Sequence, residues 1–495
     1  MFQKTIRIVA GICLAALTAC YGLWLFRAPQ LSVASVVASL VVCVLFAYIG
    51  VVCIKRVFFE WEGAPESNVH EILGRRSLRP GNFHPVLKLF LALLLSRILV
   101  YIVAYALSVL TNGYEGALLE TLGMWNKGDA PHYMGIANNG YVAVGDPRFH
   151  IVFLPFYPIL VAIFNTLVQN TYVSGLFVSV MCTVIAGILL YELALMDMDT
   201  VAAKRAVKFQ MLLPAAFLLN APMSDGLFLL LTILCMLLAR KKRFVLACMV
   251  GALASFTRLQ GVLMILPVCI ELVGEARRQS VAGKNAKRLI PSFFALLIIP
   301  VGALMYLFVN WNVTGNPLQF LTYQREHWYQ QMGWFFNTAS YQTHYFLTQF
   351  KSDIATAYGL WLPNILTVLF TPAFMLYAVT KKQPKEELAV YEEEAPDFLP
   401  DFRRTYRDRI GIDRITKRVY PIRASYIAYF LAYYFVSVGP TWLLSAPRYM
   451  LCCFPLSIAL AATMRKRSEI TLCYIVLLIA QLLYMRAYVM GWPVY

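Results

Sequence analysis

Charge is what this chain lacks. Asp, Glu, Lys and Arg supply only 14% of its 495 residues, against about 25% in a soluble protein. With 60% hydrophobic residues and a mean hydropathy of +0.64, that scarcity excludes a soluble globular chain. Alternating ten-residue strands are missing too, which excludes a membrane β-barrel. No internal repeat and no low-complexity segment is present. The related halves common in transporters therefore have no counterpart. The 11 cysteines form no CxxC pair of metal-ligand spacing, and most lie inside apolar runs, as Cys13, Cys43, Cys182, Cys235, Cys452 and Cys453 do. They read as small packed hydrophobes rather than redox or zinc sites.

What is present is a succession of apolar stretches of about 20 residues, the signature of an all-α polytopic membrane protein. Thirteen candidate spans follow: 6–28, 31–53, 88–111, 171–195, 207–222, 224–240, 244–257, 259–273, 289–311, 355–379, 425–440, 447–463 and 470–490. A fourteenth segment, 152–168, is apolar as well. The first run follows Lys4 and Arg7 and continues to Phe26, long enough to span rather than to be cleaved. The net charge of +17 sits in clusters: Lys55-Arg56 with Arg75, Arg76 and Arg79; Lys204, Arg205 and Lys208; Lys241 to Arg243; Arg277 to Arg288; Lys381 to Arg423; and Arg465 to Arg467. Such clusters mark cytoplasmic loops, so the excess charge points to the bilayer and not to nucleic acid as partner. All six fall on one side if 152–168 dips into or lies along the outer leaflet instead of crossing. Thirteen crossings then put the N-terminus inside and the C-terminus outside.

The expected organisation is two N-terminal transmembrane helices (1–54), a cytoplasmic loop (55–87), a core (88–379) with outer loops 112–151 and 312–354, a charged cytoplasmic loop (380–424) and C-terminal transmembrane helices (425–495). Two spans, 207–222 and 244–257, are short, and short helices with polar ends border cavities or thinned membrane. Their ends, Asn220 to Asp225 and Thr257 to Gly261, turn on the outer face, as does Ser445 to Tyr449.

Ionisable residues at membrane depth are costly and therefore candidates for function. Four groups converge on the outer face: Asp129 with His132 in the polar run 128–141, Ser224-Asp225, Arg258 with Gln260, and Arg448. Each also has a plainer role. Asp129 before Ala130-Pro131 suits a helix N-cap, as does Ser224-Asp225 before Gly226. His132 suits interfacial packing, and both arginines suit snorkelling to headgroups. The loop 323–336 holds Gln324, His327 and Trp328, which suit an interfacial belt or a sugar-stacking surface. One carboxylate beside several cations fits transfer from a lipid phosphate. The acceptor hydroxyl needs a general base, whereas the phosphate leaves as a stable anion and needs only positive charge and hydrogen-bond donors.

The run Gly128-Asp129-Ala130-Pro131-His132-Tyr133-Met134-Gly135-Ile136-Ala137-Asn138-Asn139-Gly140-Tyr141 resembles the Trp-Asp-x-x-His-[Phe/Tyr]-x-x-Ile-Ala-x-x-Gly-Tyr motif of PIG-V-type mannosyltransferases. Further segments match that family in order: Phe153 to Pro158, Pro222 to Asp225, Thr257 to Gly261, Gly315 to Phe320 with Gln324 and Trp328, and Pro447-Arg448-Tyr449 with Phe454-Pro455. The chain departs in having Gly128 where the family has Trp (Trp125 stands three places earlier), Asp225 where it has Glu, and two extra N-terminal spans. The resemblance implies a GT-C-type helical bundle of about 13 spans with outer juxtamembrane helices. It implies an inverting transfer of a hexose, mannose by analogy, from a polyprenyl-phosphate donor to a glycolipid or glycan acceptor. Asp129 would be the base. Arg258, Arg448 and His132 would neutralise the phosphate, and Tyr133, Ser224, Asp225, Gln260, Gln324, His327 and Trp328 would bind substrate. This logic requires no metal and no cofactor. Likeness to bacterial members implies a bacterial plasma membrane with an outward-facing site; the endoplasmic reticulum is the alternative. A transporter or flippase of lipid-linked sugars is the competing reading, and a non-catalytic membrane subunit a third.

Overall fold

The computed structural model describes residues 2–28, 31–61, 83–118, 120–381 and 422–494. Among these residues every regular element is helical. Eight helices are long and apolar enough to cross a membrane: Lys4–Arg27, Val33–Trp61, Val86–Asn112, Thr171–Leu195, Leu259–Val281, Ala286–Thr314, Ile354–Thr380 and Arg467–Val489. At 1.5 Å per residue they run about 35–43 Å, more than the ~30 Å hydrocarbon core. The protein is thus an all-helical membrane protein.

The other apolar segments are shorter for identifiable reasons. The stretch 207–222 is not one helix. Thr200–Leu212 stops before Pro214, which forces Leu213 into an extended conformation, and a tight turn follows at Ala216–Asn220. Likewise 447–463 divides into Ala446–Leu451 and Pro455–Thr463, with a proline in the first turn of each. Asp225–Arg240, Phe244–Thr257 and Ala424–Val438 are intact but hold only 16, 14 and 15 residues. The segment 152–168 is a bent pair, Asp146–Val152 followed by Phe156–Val168, meeting at 112°.

The loop expectations need three adjustments. The second helix runs on to Trp61 and the third begins at Phe83, so 55–87 is largely helical at both ends. The stretch 312–354 contains two helices, Gln319–His327 and Phe335–Gln349. The basic cluster Arg75, Arg76 and Arg79 and nearly all of the charged stretch 380–424 lie outside the described residues.

Asp225–Arg240 is the central rod. It packs against Thr171–Leu195 and Phe244–Thr257. Gly226 lets it approach closely: a Cβ there would lie 2.7 Å from Thr183 Oγ1 and 2.9 Å from the Ser179 carbonyl. Its acidic residue stands in the first turn and its basic residue in the last, as the helix dipole favours. The basic clusters gather at the Arg240 end. Lys242 pairs with Glu275, Arg205 donates to the Met464 carbonyl, Lys381 to that of Thr463, and Arg277 to that of Trp61. The candidate site lies at the opposite, Asp225 end.

Candidate functional site

Gly128 turns the chain with φ +60°, a left-handed conformation that a bulky residue adopts only under strain. This explains the glycine where the resemblance has Trp. Trp125 is fully buried instead, packed edge-on against Tyr101 at 5.3 Å and beside Tyr488 at 5.7 Å. The Ala130–Asn139 helix then starts, with Pro131 in its first turn.

Asp129 stands at the capping position, yet its side chain makes no capping hydrogen bond. Its Oδ2 accepts from Arg448 Nη2 at 2.5 Å. Arg448 Nε donates to Asp225 Oδ2 at 2.9 Å. The other Asp225 oxygen, Oδ1, lies 2.8 Å from Arg258 Nη2. Arg258 Nε donates to Ser224 Oγ at 2.9 Å, and that hydroxyl shares a 2.8 Å hydrogen bond with Tyr133 OH. Charges alternate from Asp129 through Arg448 and Asp225 to Arg258. The neutral links through Ser224 and Tyr133 then return to the helix that Asp129 opens. Ser224 also spends no hydrogen bond on capping, so the plainer reading of both positions is not what the fold adopts.

Two carboxylates face two guanidiniums, so the network is charge-balanced. Side-chain exposure is 1% for Asp225, 2% for Arg448 and 9% for Arg258, but 30% for Asp129. Buried ions survive only when oppositely charged, hydrogen-bonded neighbours offset lost hydration. Asp225 has two such neighbours and the N-terminus of its own helix. Asp129 is the open end: its Oδ1 accepts no hydrogen bond from a described residue.

Local chain geometry delivers each arginine. Phe244–Thr257 stops, and Arg258 is extended, with φ −151° and ψ 140°. The backbone then folds back so tightly that a Cβ on Gly261 would lie 2.2 Å from the carbonyl carbon of Ala254. Only glycine fits there, which gives the Thr257 to Gly261 motif a physical reason. The Gly315 to Phe320 motif is architectural too. Gly315 ends a helix at φ +75°, Asn316 Oδ1 accepts from Leu318 N at 3.0 Å, and Phe320 packs with Tyr306.

Beside Asp129 lies a shelf of rings. His132 stacks on Phe153 with centroids 4.9 Å apart and planes at 16°. His150 meets His132 edge-on at 4.9 Å, and Trp328 stands edge-on to Phe153 at 5.8 Å. His327 stacks on Phe149 at 4.1 Å. The turn carrying Phe153 is pinned by Tyr141 OH, which donates to its carbonyl at 2.5 Å, and by Tyr306 OH, which donates to that of Ile151 at 2.8 Å. Burial holds His132 below the ordinary histidine range, opposed by the Asp129 charge and reinforced by His327. His150 is lowered by burial and then by His132. Both rings are neutral donor–acceptors at neutral pH. Burial likewise raises the Tyr133 phenol to about 12, keeping it a hydrogen-bond donor. Among the described residues no group of three or more His, Cys, Asp or Glu could hold a metal.

Sequence reasoning located Asp129, Tyr133, Ser224, Asp225, Arg258 and Arg448, and the structure brings these six together. His132, His327 and Trp328 belong to the neighbouring shelf. Gln260 is half-buried and joins none of these bonds. Gln324 bonds to Gln330 at 2.8 Å, which in turn donates to the Trp442 carbonyl, so it braces a loop. Arg258 and Arg448, expected to meet a phosphate, both direct donors at Asp225. Reasoning from sequence missed His150, Phe149 and Phe153 as shelf members, although Phe153 opens a matched motif. It also missed Cys452, whose Sγ lies 3.6 Å from the Asp225 carbonyl. In comparisons with known proteins, no family model, no curated protein and no solved structure matches this chain.

Proposed function

We propose that the protein is an inverting membrane glycosyltransferase of GT-C type, resembling PIG-V-type mannosyltransferases. On this reading it moves a hexose, mannose by that resemblance, from a polyprenyl phosphate to a hydroxyl of a glycolipid or envelope glycan. The eight long helices and five shorter apolar segments would together make about 13 spans. The Asp129 end would face away from the cytoplasm, in a bacterial plasma membrane.

The observation that carries this reading is the half-open carboxylate of Asp129. One oxygen is fixed by Arg448, the other accepts from no described residue, and the carboxylate interacts electrostatically with His132 of the neighbouring shelf. A general base needs that combination of fixed orientation and a vacant acceptor. The acceptor hydroxyl gives its proton to Asp129 Oδ1. Its oxygen bonds to the anomeric carbon as the bond from that carbon to the phosphate oxygen breaks, and the lipid phosphate departs as an anion. The shelf offers faces for the apolar side of a sugar ring, with neutral His132 and His150 as hydrogen-bonding groups. Arg258 and Arg448 act as the scaffold that aims Asp129, through Asp225.

The test is sugar transfer by the purified protein from polyprenyl-phosphate-mannose to a glycolipid fraction, comparing wild type with Asp129→Asn. Collapse of transfer with folding intact is expected. Wild-type transfer by the variant would remove the proposed base.

A further inference from the structure

Among the described residues, three that are not glycine have a positive φ: Gln169, Lys242 and Tyr329. All three follow the end of a helix, where the left-handed position is usually glycine. Gln169 and Lys242 carry polar chains. Tyr329, at φ +55°, carries an aromatic ring in a conformation that strains a bulky residue. Packing does not explain it. The residue is 73% exposed, its hydroxyl bonds to no described residue, and its ring stacks on none.

The backbone on either side is fastened. Gln330 N donates to the Gln324 carbonyl at 3.0 Å, and Gln330 Nε2 to that of Trp442 at 2.8 Å. Gln331 N donates to Thr441 Oγ1 at 3.0 Å, and Thr441 N returns a 2.9 Å bond to the Gln331 carbonyl. Gly333 lets the two loops touch, since a Cβ there would lie 3.0 Å from the Gly439 carbonyl oxygen. Gln331 is exposed, and its side-chain amide bonds to no described residue. The result is a rigid loop presenting a free ring and a free amide. Strain held in place by such surroundings gathers at ligand clamps. A membrane anchor needs exposure at the right depth and gains nothing from a left-handed backbone. The exposed neighbours here are also charged: Arg325 and Glu326 pair at 3.6 Å.

We infer that Tyr329 and Gln331 bind the acceptor sugar next to the one that reacts, so that the acceptor is a glycan of two or more linked sugars. The chemistry fits a pyranose. Its C–H face stacks on an aromatic ring, and its vicinal hydroxyls meet an amide that both donates and accepts. The place fits a second unit. Trp328 belongs to the shelf beside Asp129, with ring centroids 6.3 Å from His132 and 5.8 Å from Phe153. Tyr329 is the next residue, about 3.8 Å further along the chain. The inference rests on the transferase reading for the identity of the reacting sugar.

The test separates glycan binding from transfer. Full-length protein in detergent is titrated with methyl mannoside, α-mannobiose and α-mannotriose, and dissociation constants are read by saturation-transfer NMR. The two longer sugars are expected to bind about tenfold tighter than the methyl mannoside, the worth of one added stacked ring with its hydrogen bond. Tyr329→Gly keeps the left-handed turn and removes the ring. It should bring that ratio close to one while the thermal midpoint holds or rises. Tyr329→Phe keeps the stacking face and should keep the ratio, and Gln331→Ala should lower it about threefold. A ratio near one in the wild-type protein would overturn the proposal without any variant having to fold. A wild-type ratio in Tyr329→Gly, with weaker retention of that variant in nanodiscs, would overturn it too, by making the ring a membrane anchor. The expected ratios with no transfer of any sugar would uphold this site and sink the transferase reading. Sugar transfer by a wild-type protein whose ratio is near one would sink this site alone.

Discussion

The Asp225–Arg240 helix carries a charged network at each end, about 22 Å apart, and the two are built differently. At its C-terminus Arg240 grips both oxygens of Asp197, at 2.7 and 2.8 Å, and Tyr426 OH donates to the same carboxylate at 2.8 Å. Glu271 is held on both oxygens by Arg423, at 3.1 and 3.2 Å, and Ser425 Oγ donates to it at 2.6 Å. Both carboxylates are saturated and buried. At the N-terminus Asp225 is equally saturated, but the network runs on through Arg448 to Asp129, whose second oxygen accepts from no described residue. A closed network can only hold helices together. An open one can also receive a proton.

The sharpest way to break this comparison is to neutralise one acid in each network. Asp129→Asn is expected to lower transfer roughly 10²–10⁴-fold, the usual worth of a general base. Its thermal midpoint should stay near wild type, because Asp129 is the exposed end of its network. Asp197→Asn is expected to do the reverse: lower stability, with unchanged specific activity in the protein that remains folded. Transfer assays paired with thermal unfolding in detergent check both. A large loss of stability in Asp129→Asn would make the two networks alike.

Removing the shared acid should sit next in size. Asp225→Ala leaves two guanidiniums buried beside it without their common partner, and breaking such a pairing costs about 3–5 kcal/mol. Arg240→Ala should cost a similar amount at the other end. The difference lies in activity. Asp225→Ala frees Arg448 from its anchor and should abolish transfer even in folded protein, whereas Arg240→Ala should not. Gly261→Ala is a smaller and more local probe. Its Cβ has no room against the Ala254 backbone, so the turn that delivers Arg258 must shift, at about 1–3 kcal/mol. Thermal unfolding measures the loss. A parallel drop in transfer would report on the displaced arginine.

How much of this was legible in the sequence depended on contrast. Asp129, Asp225, Arg258 and Arg448 stand out because their surroundings are apolar, and helix ends put them on one face. Their pairing was not legible, because Asp129 and Arg448 lie 319 positions apart and nothing local shows that Asp225 occupies both arginines. The helical character of the long spans followed from their apolar length. The breaks at Pro214 and Pro455 did not, since the hydropathy of 207–222 and 447–463 runs straight through them. The Arg240 network was missed for a different reason. Basic residues at span ends read as topology markers, and nothing local ties them to Asp197 and Glu271. Glu271 inside an apolar run was the available signal. Trp125 read as a displaced motif residue, but the left-handed turn at Gly128 and the aromatic pocket around Tyr101 and Tyr488 give it a packing role instead.

The smallest expected effect uses pH. His132 and His150, on the shelf beside Asp129, are held below the ordinary histidine value of 6.5, in each case first by burial. In the unfolded chain these rings take up protons as pH falls through that value, while in the folded protein they remain neutral to lower pH. The unfolded state therefore binds more protons in that window, and stability, fully present above pH 6.5, declines as pH drops below it. The Arg240 network, Asp197, Tyr426, Glu271, Arg423 and Ser425, contains no histidine. Thermal midpoints followed from neutral to mildly acidic pH should fall in wild type, and His132→Gln should flatten part of that fall. Asp197→Asn should instead lower the whole curve without changing its shape. A fall of equal steepness in His132→Gln would move the pH sensitivity away from the shelf and weaken the distinction between the two ends.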